Sequence, residues 1–131
     1  MPSIIGTWRL VGAAAKDKDG HPLPEPYGGR GMGRVCFTAE GRMMAVTCDG
    51  RRDVPPGSER AYSSYCGNYT FDGARLVTRV DAASDPSRLG SDQVREVSFA
   101  GEDRMILRPP PRPSASGDEY REITWERLSE L

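Results

Sequence analysis

The chain has 131 residues, enough for a single domain with one hydrophobic core, which we assign to residues 1–131. A net charge of −1 without a basic tail argues against nucleic acid as a partner. No apolar stretch approaches the ~20 residues of a membrane-spanning helix, and "MPSIIG" lacks the features of a secretion signal, so we expect a cytoplasmic protein with no membrane partner.

Short β-rich segments separated by turn residues follow one another along the chain. The first is "GTWRLVGAAAK" and the last is "EYREITWERL". Between them, "GRVCFT" and "RMMAVTCD" flank "AEG", "YCGNYTF" and "RLVTRVDAA" flank "DGA", and "QVREVSFA" and "RMILRP" flank "GED". Because tight turns join most successive segments, the pattern predicts an up-and-down antiparallel meander of about eight strands.

Three longer segments interrupt this meander. "DKDGHPLPEPYGG" is predicted to be an open loop, since its prolines cannot donate hydrogen bonds to a β-ladder. "GRRDVPPGSERAYSS" is predicted to hold one short helical turn after Pro56, with Ser58 as its N-cap. "RPPPRPSASGDE" is predicted to be a stiff, non-regular connection before the last strand.

Closure of the meander would remove the two edges that an open sheet exposes. The sequence therefore predicts an all-β fold, a closed up-and-down antiparallel barrel of about eight strands, with room inside for side chains or one small ligand. In this barrel we expect Trp8 of the first strand to fill the base. Gly6 lets the chain enter beneath the ring, and Arg127 of the last strand covers the ring face.

The triplet Gly6-x-Trp8 and Arg127 near the end resemble the signature of the lipocalin and calycin superfamily. "IIGTWRLVGA", "RVCFTAEGRMMAV", "YCGNYTFDGARLVTRVDAASDPSRLGSDQVREV" and "ITWERL" are similar, in that order, to the bacterial lipocalin-like domain family. The resemblance covers nearly the whole chain and implies a barrel with an internal cavity, in a family whose chemistry is mostly uncharacterised. Members often carry a histidine in the strand occupied here by "VTRVD", where this chain has Arg79.

Polar residues on an otherwise apolar strand face mark the candidate cavity. Arg95 and Gln93 share a face with Phe99, so we expect the Arg95 guanidinium to point inward and to need an anionic partner. That partner is either a carboxylate ligand or the chain's own Asp81 or Glu96. The alternative is that Arg95 extends to water at the barrel rim.

Aromatic residues provide a second candidate cavity wall. A two-residue turn at Asp72-Gly73 would set Tyr69 opposite Leu76 and Tyr65 near Val80, with Phe71 on the same face. This wall suits a planar aromatic or terpenoid-like ligand, and plain core packing is the alternative. The candidate ligand-binding residues are Arg95, Gln93, Tyr65, Tyr69, Phe71, Arg79 and Phe99.

Three functions are compatible with this arrangement. The first is binding of a small, mostly apolar molecule (aromatic, terpenoid or fatty-acid-like) in the barrel cavity. The second is a cofactor-free isomerase, cyclase, hydratase or decarboxylase, with Tyr65 and Tyr69 as acids or hydrogen-bond donors, Asp81 as base and Arg95 as substrate anchor. The third is a structural or interaction protein, for example a homodimer that associates through a barrel wall.

The sequence predicts no metal and no cofactor. The single histidine, His21, lies beside a proline in the first long loop, where we expect it to be exposed, unless the loop folds over the barrel mouth and supplies an acid–base group. The cysteines Cys36, Cys48 and Cys66 are odd in number and lack CxxC spacing, which predicts neither a disulfide framework nor a structural zinc site.

Overall fold

A computed structural model describes residues 3–114 and 117–129. Within these residues the chain forms nine strands. Their bounds are β1 Gly6–Lys16, β2 Gly31–Phe37, β3 Arg42–Asp49, β4 Tyr62–Phe71, β5 Arg75–Ala83, β6 Asp92–Phe99, β7 Arg104–Arg108, β8 Arg112–Ser114 and β9 Gly117–Ser129.

The strands close into an antiparallel barrel. Strands β1 to β7 pair in chain order, and β9 pairs with β7 on one side and with β1 on the other. In the closing pair, Trp8 lies opposite Arg127 and Leu10 lies opposite Trp125. The predicted closed barrel of eight strands is confirmed, and β8 is an additional short strand beside β9.

The helical turn predicted after Pro56 is wrong. The backbone makes a single turn there, in which the N–H of Ser58 donates to the carbonyl oxygen of Pro55 at 3.0 Å. The Arg60 guanidinium lies across the loop and donates to the carbonyl oxygen of Asp49 at 2.8 Å. It also donates to the carbonyl oxygen of Arg52 at 3.2 Å, so that the Arg60 side chain closes the loop without a helix.

Two short 3-10 turns, Pro26–Gly29 and Pro86–Arg88, occur elsewhere in the barrel connections. Each begins with a proline, whose fixed φ favours the first helical position. In the second turn the Asp85 carboxylate accepts the N–H of Ser87 at 3.0 Å. Within the described part of the chain, no helix has the length and apolar character needed to cross a bilayer.

Strand β8 lies in the segment that the sequence predicts to be non-regular, so that prediction is wrong at Arg112–Ser114. Arg112 lies opposite Glu119 and Pro113 lies opposite Asp118 of β9. A proline is tolerated here because β8 pairs with β9 alone, and an edge strand can leave one backbone position without a donor.

The predicted register of β4 and β5 is also wrong. Tyr69 lies opposite Thr78 rather than Leu76, since the connection is two residues longer than a two-residue hairpin turn. The Asp72 carboxylate stabilises the longer turn by accepting the two backbone N–H groups that follow Gly73, at 2.9 and 2.7 Å. A shift of two residues leaves the side chains of residues 67–71 and 76–80 on their predicted faces. A bulge between Cys66 and Gly67 adds one further residue, so that Tyr65 lies opposite Ala83 and not near Val80.

Trp8 closes one end of the barrel and is fully buried. Its indole N–H donates to the carbonyl oxygen of Ile4 at 2.9 Å, and the Arg127 guanidinium carbon lies 4.2 Å from the ring centroid. Arg127 also donates to the carbonyl oxygen of Ile5 at 2.8 Å. Gly6 has a φ of 133°, a conformation that favours glycine, and so lets the chain pass beneath the ring.

The two ends of the barrel differ in the length of their connections. At the closed end, beside Trp8, the connections 38–41, 72–74 and 100–103 are short. The opposite, open end is surrounded by segments 17–30, 50–61 and 84–91 and by the segment that contains β8. Any approach to the barrel interior therefore lies at the end with the long loops.

Candidate functional site

The open end of the barrel leads into a cavity of about 650 Å³. This volume lies within the range of roughly 300–1,000 Å³ that is typical of small-molecule sites. Much of the wall is apolar and belongs to, or packs against, the hydrophobic core. These apolar residues are Val35, Met43, Ala45, Leu107, Ile123 and Trp125.

Four arginines line the same cavity: Arg88, Arg95, Arg112 and Arg121. Arg121 is neutralised by an ion pair between its guanidinium and the Glu119 carboxylate. Among residues 3–114 and 117–129, the other three arginines have no carboxylate oxygen within 4.0 Å of a guanidinium nitrogen. The cavity therefore combines an apolar wall with an excess of positive charge.

Arg95 lies on the inner face of β6 and is partly buried. One of its terminal nitrogens donates to the carbonyl oxygen of Val94 at 2.8 Å, and the other approaches the Gln93 amide oxygen at 3.4 Å. Its two predicted internal partners do not lie beside it, since Asp81 is bound to another arginine and Glu96 is exposed on β6. Gln93 thus positions the guanidinium, whose charge has no counterion in the described part of the protein.

Tyr65 lines the cavity, and its ring packs against the hydrophobic core. The Arg88 guanidinium carbon lies 5.5 Å from the centroid of this ring, within the range of a cation–π interaction. Arg88 also approaches the Ser63 hydroxyl oxygen, at 3.4 Å. These contacts bring Arg88 from its 3-10 turn to the mouth of the cavity.

Tyr69 lies at the closed end and not beside Tyr65. Its hydroxyl donates to the carbonyl oxygen of Thr38 at 2.8 Å, and its ring makes an edge-on contact with Phe37, with the centroids 5.1 Å apart. Burial, together with the nearby charge of Glu40, raises the pKa of Tyr69. The hydroxyl is therefore a neutral donor that is engaged by the backbone.

Phe71 and Phe99 also lie near the closed end. The Phe99 ring centroid is 6.3 Å from that of Trp8 and 6.1 Å from that of Phe71. The three rings pack together beneath the cavity. The structure thus divides the predicted ligand-binding aromatics, with Tyr65 at the cavity and the others around the base.

Arg79 and Asp81 face outward from β5, away from the cavity. The guanidinium of Arg79 binds the Asp92 carboxylate at 2.6 Å, and Asp81 forms an ion pair with Arg42. The Arg42 guanidinium lowers the pKa of Asp81. The structure does not bring Asp81 together with Tyr65 and Tyr69, so these three residues form no common acid–base group.

His21 is exposed in the first loop and does not line the cavity. Its Nδ1 lies 3.2 Å from the Asp17 carboxylate, and ligand atoms of Asp17, Asp19 and His21 lie within 4.8 Å of one another. The Asp17 carboxylate accepts the backbone N–H groups of both Asp19 and His21 at 2.9 Å. These hydrogen bonds stabilise a turn of the loop, and the turn alone accounts for the closeness of the three side chains.

Comparison with known proteins identifies the family of this barrel. The family model of the lipocalin-like domain matches residues 5–128. The chain belongs to the lipocalin-like domain family. A solved structure of a redesigned β-barrel is similar with a TM-score of 0.45 and 9% sequence identity, over 95% of this chain and 91% of that one. No curated protein matches the chain.

Sequence reasoning missed three of the arginines of this lipocalin-like cavity. Arg88 and Arg112 lie in the long connections of the open end, whose paths leave no periodic signal in the sequence. The pattern of the last strand could have identified Arg121, because this residue alternates with Ile123 and Trp125 on the inner face of β9.

A buried carboxylate at the rim of the lipocalin-like barrel connects two of its long loops. Asp49, at the end of β3, accepts the backbone N–H of Arg51 at 3.0 Å and a terminal guanidinium nitrogen of Arg51 at 2.7 Å. The Arg51 side chain lies so close to Gly28 that a Cβ there would be 2.3 Å from its Nε. Asp49 thus fixes loop 50–61 against loop 17–30.

We expect Asp49→Asn to destabilise the protein at neutral pH and to have less effect in acid. Hydrogen bonds from Arg51 lower the pKa of Asp49. The ionised carboxylate therefore stabilises the fold above its unfolded-state pKa of about 3.9, and this contribution is lost as the pH falls through the lower folded-state pKa. Urea unfolding of both proteins over a pH series measures the difference in their free energies of unfolding.

The matched control is Asp53→Asn, an exposed aspartate of the same loop. We expect its free energy of unfolding to follow that of the unmodified protein at every pH. A destabilisation by Asp49→Asn that stays constant from neutral pH down to acid would contradict the assignment.

Proposed function

We propose that this lipocalin-like domain binds a small, mostly apolar molecule that carries an anionic group. The apolar part, which is aromatic, terpenoid or fatty-acid-like, occupies the barrel cavity, and the anionic group binds Arg95. The observation that carries the proposal is the partly buried Arg95 guanidinium, which lines a cavity with an apolar wall and has no carboxylate partner in the described part of the chain.

The energetics of burial support an anionic ligand. A charge that is partly removed from water is costly unless it is paired. A bound carboxylate would accept charge-assisted hydrogen bonds from Arg95, each contributing about 1.5–3 kcal/mol. Removal of the ligand's apolar part from water adds about 25 cal/mol per Å² of buried apolar surface. The two contributions act on opposite ends of one molecule.

The test is a calorimetric titration with decanoate, geranate and 2-naphthoate, which represent the three tail classes. We expect at least one of them to bind saturably and to change the fluorescence of Trp125, which lines the cavity. Arg95→Gln is expected to weaken that binding about tenfold or more, which corresponds to the loss of one charge-assisted hydrogen bond.

Two further variants complete this test. Arg75→Gln changes an exposed arginine at the start of β5, and we expect it to bind like the unmodified protein. Ile123→Trp adds bulk inside the cavity and is expected to weaken binding of all three acids. The proposal fails if none of the acids binds, or if folded Arg95→Gln binds them as tightly as the unmodified protein does.

A further inference from the structure

We infer that the anionic group of the ligand is a phosphate ester, bound jointly by Arg88, Arg95 and Arg112 at the mouth of the cavity. This inference rests on the proposed function, since it identifies the head group of the same ligand. The two candidate head groups differ in charge. A phosphate monoester carries a charge of about −1.5 to −2 at neutral pH, whereas a carboxylate carries only −1.

The charges around the cavity favour the larger anion. The ion pair with Glu119 neutralises Arg121, which leaves three guanidinium groups. Asp85, three residues before Arg88, forms no ion pair with it among the described residues, and its carboxylate accepts the N–H of Ser87 at 3.0 Å and the Ser87 hydroxyl at 2.8 Å. These hydrogen bonds, and to a smaller extent the charge of Arg88, lower the pKa of Asp85. One carboxylate would neutralise one of the three arginines and leave two positive charges at the same cavity.

The hydrogen-bond donors at the mouth are also in excess. Arg112 makes no side-chain hydrogen bond or ion pair with residues 3–114 and 117–129. Arg88 has a single long hydrogen bond, to Ser63 at 3.4 Å, and Arg95 has one normal bond and one at 3.4 Å. A phosphate ester offers three acceptor oxygens, and arginine is well suited to bind phosphate through paired N–H groups.

Arg88 and Arg95 are already positioned for such a group. The ring of Tyr65 supports the Arg88 guanidinium, and Gln93 approaches that of Arg95. Because the side chains are partly ordered before binding, less conformational entropy is lost when the anion binds. The apolar wall below them favours phosphate on an apolar tail over free phosphate, although both have the chemistry that the arginines recognise.

The test is calorimetry with four probes: geranyl monophosphate, geranate, geraniol and inorganic phosphate. We expect geranyl monophosphate to bind about tenfold or more tightly than geranate. Geraniol lacks the charge and inorganic phosphate lacks the apolar tail. Both are therefore expected to bind more weakly than geranyl monophosphate and more weakly than geranate. The affinity for geranyl monophosphate should also fall more steeply with added salt than the affinity for geranate.

The variants Arg88→Gln and Arg112→Gln separate the two proposals. Each is expected to lower the affinity for geranyl monophosphate about tenfold and to change the affinity for geranate by less than about threefold. Arg75→Gln, at the closed end, is the matched control and should leave both affinities unchanged. Circular dichroism and the urea midpoint establish that each variant is folded.

Several results would overturn the phosphate inference. The first is equal affinity for geranyl monophosphate and geranate. The second is unchanged binding of geranyl monophosphate by both Arg88→Gln and Arg112→Gln. The third is binding of inorganic phosphate as tight as that of geranyl monophosphate. If geranate still binds and Arg95→Gln weakens it, the proposed function stands while the phosphate inference falls. If neither geranyl compound with a charge binds, and the other acids also fail, both fall together.

Discussion

Replacement of Trp8 by alanine is expected to lower the free energy of unfolding by about 3–5 kcal/mol, the usual cost of removing a fully buried aromatic side chain. The ring is fully buried and lies 4.2 Å from the Arg127 guanidinium carbon and 6.3 Å from the Phe99 ring centroid. Loss of the ring leaves a cavity at the base of the barrel, where β1 pairs with β9. Equilibrium unfolding in urea measures the effect.

Two comparison variants identify the cause of this destabilisation. Trp8→Phe keeps much of the ring but removes the N–H that donates to Ile4, so we expect a smaller cost, about 1–3 kcal/mol. Tyr62→Ala removes an aromatic side chain that is 57% exposed and is expected to change stability by no more than about 0.5 kcal/mol. Equal effects of Trp8→Ala and Tyr62→Ala would contradict the role of Trp8 at the base.

We expect Gly67→Ala to destabilise the barrel by about 3 kcal/mol or more, which is the upper range for overpacking. A Cβ at Gly67 would lie 1.9 Å from the Arg79 carbonyl oxygen and 3.1 Å from the Cα of Val80. These atoms belong to the backbone of β5 at a β-bulge, where Asp81 is the extra residue between the partners of Cys66 and Gly67. The clash can be relieved only if the strands separate.

The matched control is Gly12→Ala in β1. A Cβ at Gly12 would meet no atom within 4 Å, and its φ is not in the left-handed region. We therefore expect the free energy of unfolding to be unchanged or to increase by up to about 1 kcal/mol, because alanine restricts the unfolded chain. Urea unfolding of the two alanine variants side by side tests the steric argument, which fails if Gly67→Ala is as stable as Gly12→Ala.

The strands could be predicted from the sequence because their signals are local. The quoted segments 6–16, 42–49 and 75–83 coincide with β1, β3 and β5. In each case alternating apolar residues are bounded by glycine, proline or aspartate, which end strands. Closure followed from the same reasoning, since unpaired edges are unfavourable and both terminal segments have strand character.

The register and the mouth of the barrel could not be predicted in the same way. The register of β4 and β5 depends on side-chain hydrogen bonds of Asp72, which lengthen a turn that the sequence alone would assign as a two-residue hairpin. Arg88 reaches the cavity because an irregular loop brings it over Tyr65. Such paths are determined by tertiary contacts and not by the period-2 pattern that identifies strands.

The connections at the two ends of the barrel differ in length, and we expect them to differ in how much sequence change they tolerate. The segments 17–30, 50–61 and 84–91 contribute Tyr27, Ala61 and Arg88 to the rim of the cavity, whereas the rings of Trp8, Phe71 and Phe99 lie at the end with the short turns 38–41, 72–74 and 100–103. Surface loops tolerate insertion and exchange at low thermodynamic cost. Exchange of segment 84–91 between relatives should therefore change the charge at the mouth, through Arg88, while Arg95 on β6 and the cooperative unfolding of the barrel are kept.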